Sequence, residues 1–181
     1  MAFFPSYAYL ESVLELFCAE YPQVETAVQA RGMDDEARAR FLARFEAPDR
    51  KTLIGFCVLG GVYSEGIDLT GEKLIGAAVI GVGLPQVGQE PNALRAYFDR
   101  INGAGFEFAY QYPGMNKVLQ AAGRVIRSEQ DAGAVLLIDD RFLAARYRAL
   151  MPPHWNTLRQ TSSGQLSLQL REFWQQIEKG D

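Results

Sequence analysis

Gln120, Arg124 and Arg127 place one amide and two permanent cations at positions i, i+4 and i+7. On a continuous helix, with 3.6 residues per turn, these positions fall within roughly a 60° wedge, so the three groups can face one ligand together. A guanidinium is planar, keeps its charge and presents a fork of donors matched to phosphate oxygens. Gly123, beside Arg124, weakens a helix by about 1 kcal/mol relative to alanine, which points to a close approach to the backbone there. Spacing alone leaves a second reading open, that of an ordinary solvated helix face.

The element that must carry these groups is predicted as a helix from about Pro113. Met115, Val118, Leu119, Ala122, Val125 and Ile126 supply its apolar stripe, with Asn116, Gln120, Gly123, Arg124 and Arg127 opposite. Around it, short apolar runs alternate with helical patterns, which predicts a mostly parallel sheet flanked by helices. Strands are expected at Ala2 to Phe4, Val24 to Val28, Thr52 to Leu59, Leu74 to Val82 and Ala134 to Ile138. Helices are expected after a Ser6 cap, with Leu10, Val13, Leu14 and Phe17 on one face, then from Asp34 to Phe45, Asn92 to Ile101 and Leu166 to Glu178. The last helix is expected to dock on the core through Leu168, Leu170 and Trp174.

Ser64-Glu65-Gly66-Ile67-Asp68 is a polar, glycine-broken loop between two expected strands, where α/β sheets usually place ligand contacts. Two other segments resemble nucleotide sites more weakly. Ala134 to Asp140 could pass for a magnesium-holding strand end, but the chain has no Gly-x-x-x-x-Gly-Lys-Ser/Thr loop to cradle phosphates. A structural strand with Asp139 or Asp140 orienting Arg141 fits better. Gly81-Val-Gly83-Leu-Pro85 lacks the third glycine of a dinucleotide loop and reads as a strand-ending turn. Tyr7, Tyr9, Tyr110 and Tyr112 could stack on bases, with core packing the commoner fate of each.

The composition of the 181 residues, 48% apolar and 22% charged, fits one soluble globular domain. No apolar run is long enough to span a membrane and no secretory leader is visible, so the expected compartment is the cytoplasm with no membrane partner. One histidine, His154, and two distant cysteines, Cys18 and Cys57, are too few for a zinc site or a Ser-His-Asp triad. Both cysteines are expected inside core elements, without disulfide or metal. The net charge of -4 argues against a general polyanion binder, although Arg124, Arg127, Arg141, Arg146 and Arg148 cluster in one third of the chain. Some of these arginines are expected to pair with acids or to cover core edges.

Tyr112 to Gly133, containing Gln-Ala-Ala-Gly-Arg-Val-Ile-Arg, closely resembles motif VI of the XPD/DinG branch of superfamily 2 helicases. Phe3-Phe4-Pro5-Ser6-Tyr7-Ala8-Tyr9-Leu10-Glu11 resembles that branch's motif IV, and Gly60-Gly61-Val62-Tyr63-Ser64-Glu65-Gly66-Ile67-Asp68-Leu69 its motif V, all in family order. Ile138 to Phe142 and Pro152 to Trp155 also match, so the resemblance covers about residues 3 to 155.

The resemblance implies an α/β, RecA-like three-layer sandwich of the P-loop NTPase type. It would be the second-lobe version lacking a Walker A loop, a single domain over residues 1–181 excised from a longer chain. It implies that Arg124 and Arg127 reach a triphosphate across a cleft, with Arg127 as the arginine finger and Gln120 as a polar sensor. Gly66 and Asp68 would line the cleft, and Ser6, Ser64 and the backbone around Glu65 would touch single-stranded DNA. The phosphate loop and the Mg2+ carboxylates for ATP would come from the first RecA-like lobe, as would the iron–sulfur cluster that relatives often carry; none is expected in this chain. The isolated lobe would be an inactive ATPase. The rival expectation is a non-catalytic single-strand-binding or docking module that keeps the helicase-like fold.

Overall fold

In the computed structural model the described residues are 1–46, 52–61, 63, 69, 73–126 and 131–179. They divide into two compact units, Met1–Leu150 and Met151–Asp181.

Among the described residues the first unit has five strands: β1 (Ala2–Phe4), β2 (Glu25–Val28), β3 (Leu53–Val58), β4 (Gly76–Ile80) and β5 (Ala134–Ile138). Their order across the sheet is β2-β3-β1-β4-β5. Every pairing is parallel, so the sheet goes beyond the mostly parallel one expected. The central strand β1 carries Phe3 and Phe4, both buried, because parallel strands flanked by helices hide both faces. Edge strand β5, expected to be buried, is only half-buried along Ala134 to Leu137 and ends on an exposed Ile138, since it has a neighbour on one side only.

Helix α1 (Tyr7–Glu20) begins where Ser6 accepts a hydrogen bond from the Tyr9 amide at 3.2 Å, as the sequence predicts. It covers the sheet face that displays Phe4, Phe56 and Ile80, with Leu10, Val13, Leu14 and Phe17 packed there. Phe4 and Phe56 stack at 5.4 Å, and Phe17 tilts onto Phe56 at 5.5 Å. Fully burying such a side chain contributes about 1.5–3 kcal/mol. Helix α2 (Asp35–Glu46), capped by the Asp34 carboxylate at 2.8 Å from the Ala37 amide, lies on the opposite face, where Phe41 and Phe45 pass over Gly55. A sheet with helices on both faces makes the three layers expected.

Helix α3 (Gln89–Asn102) packs Phe98 on Phe108 at 4.0 Å between ring centres. A π-turn (Glu107–Gln111) then runs directly into α4 (Tyr112–Ala122), so Pro113 lies inside a continuous helical run instead of opening one. The wide π-turn, closed by the Tyr112 amide on the Glu107 carbonyl, shifts the hydrogen-bond register and relieves the clash a proline makes in a regular helix. The β1-α1-β2 and β4-α4-β5 steps move in opposite directions along the sheet. With right-handed crossovers this sets α4 on the face shared with α2. After β5 come a 3-10 turn (Asp140–Leu143) and the short α5 (Ala145–Arg148).

The second unit holds a 3-10 turn (Pro153–Thr157), where exposed His154 meets the Trp155 ring edge-on, and α6 (Ser163–Lys179). Helix α6 starts three residues earlier than expected. None of its residues is buried, and Trp174 packs edge-on against Phe173.

Cys57 is wholly buried in β3, and burial pushes its thiol up to about 12. Cys18 is exposed, against expectation, at the flank of the Leu10-Leu14-Phe17 stripe in the last turn of α1. Native protein is therefore expected to give one fast equivalent with a water-soluble disulfide reagent, and the second only in denaturant. Two fast equivalents without denaturant would contradict the packing of β3.

Candidate functional site

Parallel strands send all five C-terminal ends to one rim of the sheet, the usual ligand rim of an open α/β sheet, with binding at the point where strand order reverses. Here the chain leaves β1 toward β2 and leaves β4 toward β5, so the reversal falls between β1 and β4.

Beside that point lies an open cavity of about 310 Å3, lined by Pro5, Tyr9, Ile80 to Leu84, Ile138, Asp139 and Arg141. Asp139 caps the 3-10 turn through the Arg141 amide at 2.9 Å, and its carboxylate grips the Arg141 guanidinium at 2.8 and 2.7 Å. The hydrogen bonds from Arg141 hold the Asp139 carboxyl below the usual carboxylate range and raise the guanidinium in turn. Both Asp139 oxygens thus serve Arg141, the role expected in preference to a magnesium strand end. Arg146 lies over the Phe106 and Tyr147 rings at 5.8 and 5.4 Å, covering a core edge as foreseen for part of the arginine cluster.

Ser6 sits on this rim, half-buried, its hydroxyl engaged as the α1 cap. Of the four tyrosines considered as base platforms, Tyr9 is half-exposed beside the cavity. Tyr110 is buried and donates to Asn92 at 2.8 Å, and Tyr112 meets Phe108 edge-on at 5.1 Å. Tyr7 has one ring face covered by Arg31 at 4.5 Å. Sequence reading passed over Arg31; its signal was a cation just before a glycine in the turn that follows a short strand.

Helix α4 links the two rims. At its start Gly114 lies against the Val82–Leu84 backbone on the C-terminal rim. Beyond its end, buried Val125 approaches Gly133, beside the starts of β4 and β5. Met115, Val118, Ala121 and Ala122 form its buried side and Gln120 is exposed.

The helix stops at Ala122, however. Gly123 to Val125 form a turn in which the Arg124 and Val125 amides donate to Ala121 and Ala122 at 3.3 and 3.2 Å, one residue tighter than an α-helix. Arg124 is therefore half-buried in a turn and does not share a continuous helical wedge with Gln120. Gly123, poor in helix propensity, is where the ladder breaks, and the atom nearest its missing Cβ is the Leu119 carbonyl of its own chain. Ile126, expected in the stripe, is half-exposed beyond the turn.

Arg127, Ser64, Glu65, Gly66 and Asp68 lie outside the described residues. Of the expected site residues that are described, Gln120 and Arg124 lie toward one rim, on the helix and in the turn after it, and Ser6 lies on the other.

A family model described as a helicase C-terminal domain matches residues 1–158. The chain belongs to the helicase C-terminal domain family. The XPD/DinG-type second lobe read from motifs IV, V and VI is borne out. Regulator of telomere elongation helicase 1 of Bos taurus is 34% identical over 171 residues, covering 84% of this chain and 14% of that protein. ATP-dependent DNA helicase chl-1 of Caenorhabditis elegans is 39% identical over 99 residues, 53% of this chain and 12% of that one. An XPD helicase structure superposes with a TM-score of 0.64 at 21% identity, covering 82% of this chain and 26% of that chain, a likeness of fold. This helicase C-terminal domain thus spans 14% of the length of its cattle relative. No described helix is long and apolar enough to cross a membrane.

Proposed function

We propose that this domain is the second motor lobe of an ATP-dependent DNA helicase, closing on ATP held by a first RecA-like lobe and gripping single-stranded DNA on its other rim. The observation that supports it is the span of α4. One end abuts the rim that carries Ser6 and the cavity, and the other carries Gln120 and leads into the Arg124 turn near the opposite rim. A rigid helix between a nucleotide edge and a strand edge gives closure at one a direct mechanical path to the other.

In this reading Arg127 is the finger that stabilises charge on the γ-phosphoryl oxygens, with Arg124, Gln120, Gly66 and Asp68 lining the cleft. Ser6, Ser64 and Glu65 touch the strand. The groups at the end of α4 are an amide and a guanidinium, which suit phosphate oxygens and not Mg2+. In this reading the carboxylates that hold the ion come from the partner lobe.

The domain alone is expected to show no ATP turnover above background, because half of the site is supplied in trans. Mixing with a first lobe of the same family should restore it, read as phosphate release. Clear turnover by the pure domain would overturn the reading, as would single-strand binding that never responds to an added first lobe.

A further inference from the structure

The turn after β2 is built with more care than a connection between an edge strand and a helix requires. Gln29 is buried there although polar. Its side-chain oxygen accepts from the Val58 amide at 2.8 Å, and its nitrogen donates to the Tyr7 hydroxyl at 3.1 Å. One side chain thus ties the ends of β2 and β3 to the first turn of α1. Next, the Ala30 amide donates to the Met33 sulfur at 3.2 Å across Gly32, whose φ of 66° is the left-handed conformation a tight turn needs. The Tyr63 hydroxyl reaches the same sulfur at 3.7 Å.

This frame fixes Arg31. Its guanidinium lies 4.5 Å from the centre of the Tyr7 ring, whose hydroxyl Gln29 holds, and the side chain is exposed. No carboxylate among the described residues forms an ion pair with it. A guanidinium stacked on an aromatic face has its planar edge preset and its donors still available, so little side-chain entropy remains to be lost on binding an anion. Ser6, proposed above to touch the strand, precedes Tyr7 directly, and Tyr9 beside the cavity follows two residues later.

We infer that Arg31, stacked on Tyr7 and framed by Gln29, is a phosphate clamp for single-stranded nucleic acid, extending its track over the β2 side of the sheet. The inference rests on the nucleic-acid reading above and adds a residue outside motifs IV, V and VI. Edge to edge, five strands span about 19 Å at ~4.8 Å each, room for a few nucleotides, and Arg31 serves the end away from the cavity.

The test is titration of the isotope-labelled domain with a thymidine dodecamer, followed by amide chemical shifts and by fluorescence anisotropy across a salt series. Shifts at Tyr7 and Gly32 together with Tyr9 are expected. Arg31→Ala should weaken binding by about 3- to 10-fold and flatten the slope of log K against log salt by about 0.7, the contribution of one phosphate contact on a single strand. Arg31→Lys should keep that slope with intermediate affinity, and both variants should melt like the parent because Arg31 is exposed. Shifts at Ser6 and Tyr9 with unchanged affinity and slope in Arg31→Ala would overturn the clamp and leave the nucleic-acid reading standing. Absence of any rim shift, or preference for an acidic peptide over the dodecamer, would overturn both.

Discussion

Arg127→Ala in the two-lobed parent is expected to cut ATP hydrolysis by about 10³- to 10⁵-fold, or about 4–7 kcal/mol of transition-state stabilisation, with single-strand affinity changed by less than about twofold. The size follows from the proposed role. As the γ-phosphoryl group transfers, negative charge spreads over its oxygens in a site closed to water, where a fixed cation acts at low dielectric. The separation of the two effects follows from the proposed division of labour between the two rims. Arg124 leads off the end of α4 where Val125 is anchored beside Gly133, whereas Ser6 and Tyr9 stand by the other rim. Arg124→Ala is the informative control. Because Arg124 is half-buried in a tight turn, its loss should lower stability as well as turnover. Single-turnover phosphate release and anisotropy with an oligonucleotide check both. Equal loss of hydrolysis and strand binding in Arg127→Ala would mean that the residue serves the fold or the track.

The features legible in the sequence share one property: each is local or periodic. Ser6 is followed by an apolar stripe at helical spacing, so its cap could be read directly. Ala134 to Ile138 is β-rich and ends in acids, so both the strand and the Asp139 grip on Arg141 could be foreseen. What escaped depends on tertiary context. The end of α4 at Ala122 runs against a stripe that continues in letters to Ile126. The helix yields there because Gly123 is a weak link and Val125 can be buried from a turn as well as from a helix. The π-turn before Tyr112 exists where Pro113 would otherwise collide with its own helix, a conflict sequence periodicity resolves by starting the helix late. For Arg31 the letters show only a cation before a turn glycine, because its placement depends on Gln29, Met33 and Tyr7, which only folding brings together. The roles proposed for residues of motifs V and VI rest on family resemblance alone, since a polar loop has no periodicity to reveal its task.

A large effect on stability is expected at Gly83 and Gly114, where the turn after β4 meets the start of α4 backbone to backbone. A Cβ on Gly114 would lie 2.5 Å from the Val82 carbonyl oxygen, and one on Gly83 would lie 2.6 Å from the Gly114 carbonyl oxygen. Neither neighbour is a flexible side chain that could swing aside, so the helix or the turn must move. Gly83 carries a second penalty, because its φ of 66° costs an L-residue about 1–2 kcal/mol on its own. With overpacking at about 1–3 kcal/mol, Gly114→Ala is expected to destabilise by about 1–3 kcal/mol and Gly83→Ala by about 2–5 kcal/mol, as measured by urea unfolding. The double variant should cost less than the sum, since a backbone pushed apart by the first methyl makes room for the second, and contacting residues couple by about 0.5–3 kcal/mol. Strict additivity would show that the two glycines do not share a contact. The same pair connects stability to the motor. Displacing the start of α4 tilts the element that spans both rims, so in the parent Gly114→Ala should lower hydrolysis and strand affinity together, the opposite of the split expected for Arg127.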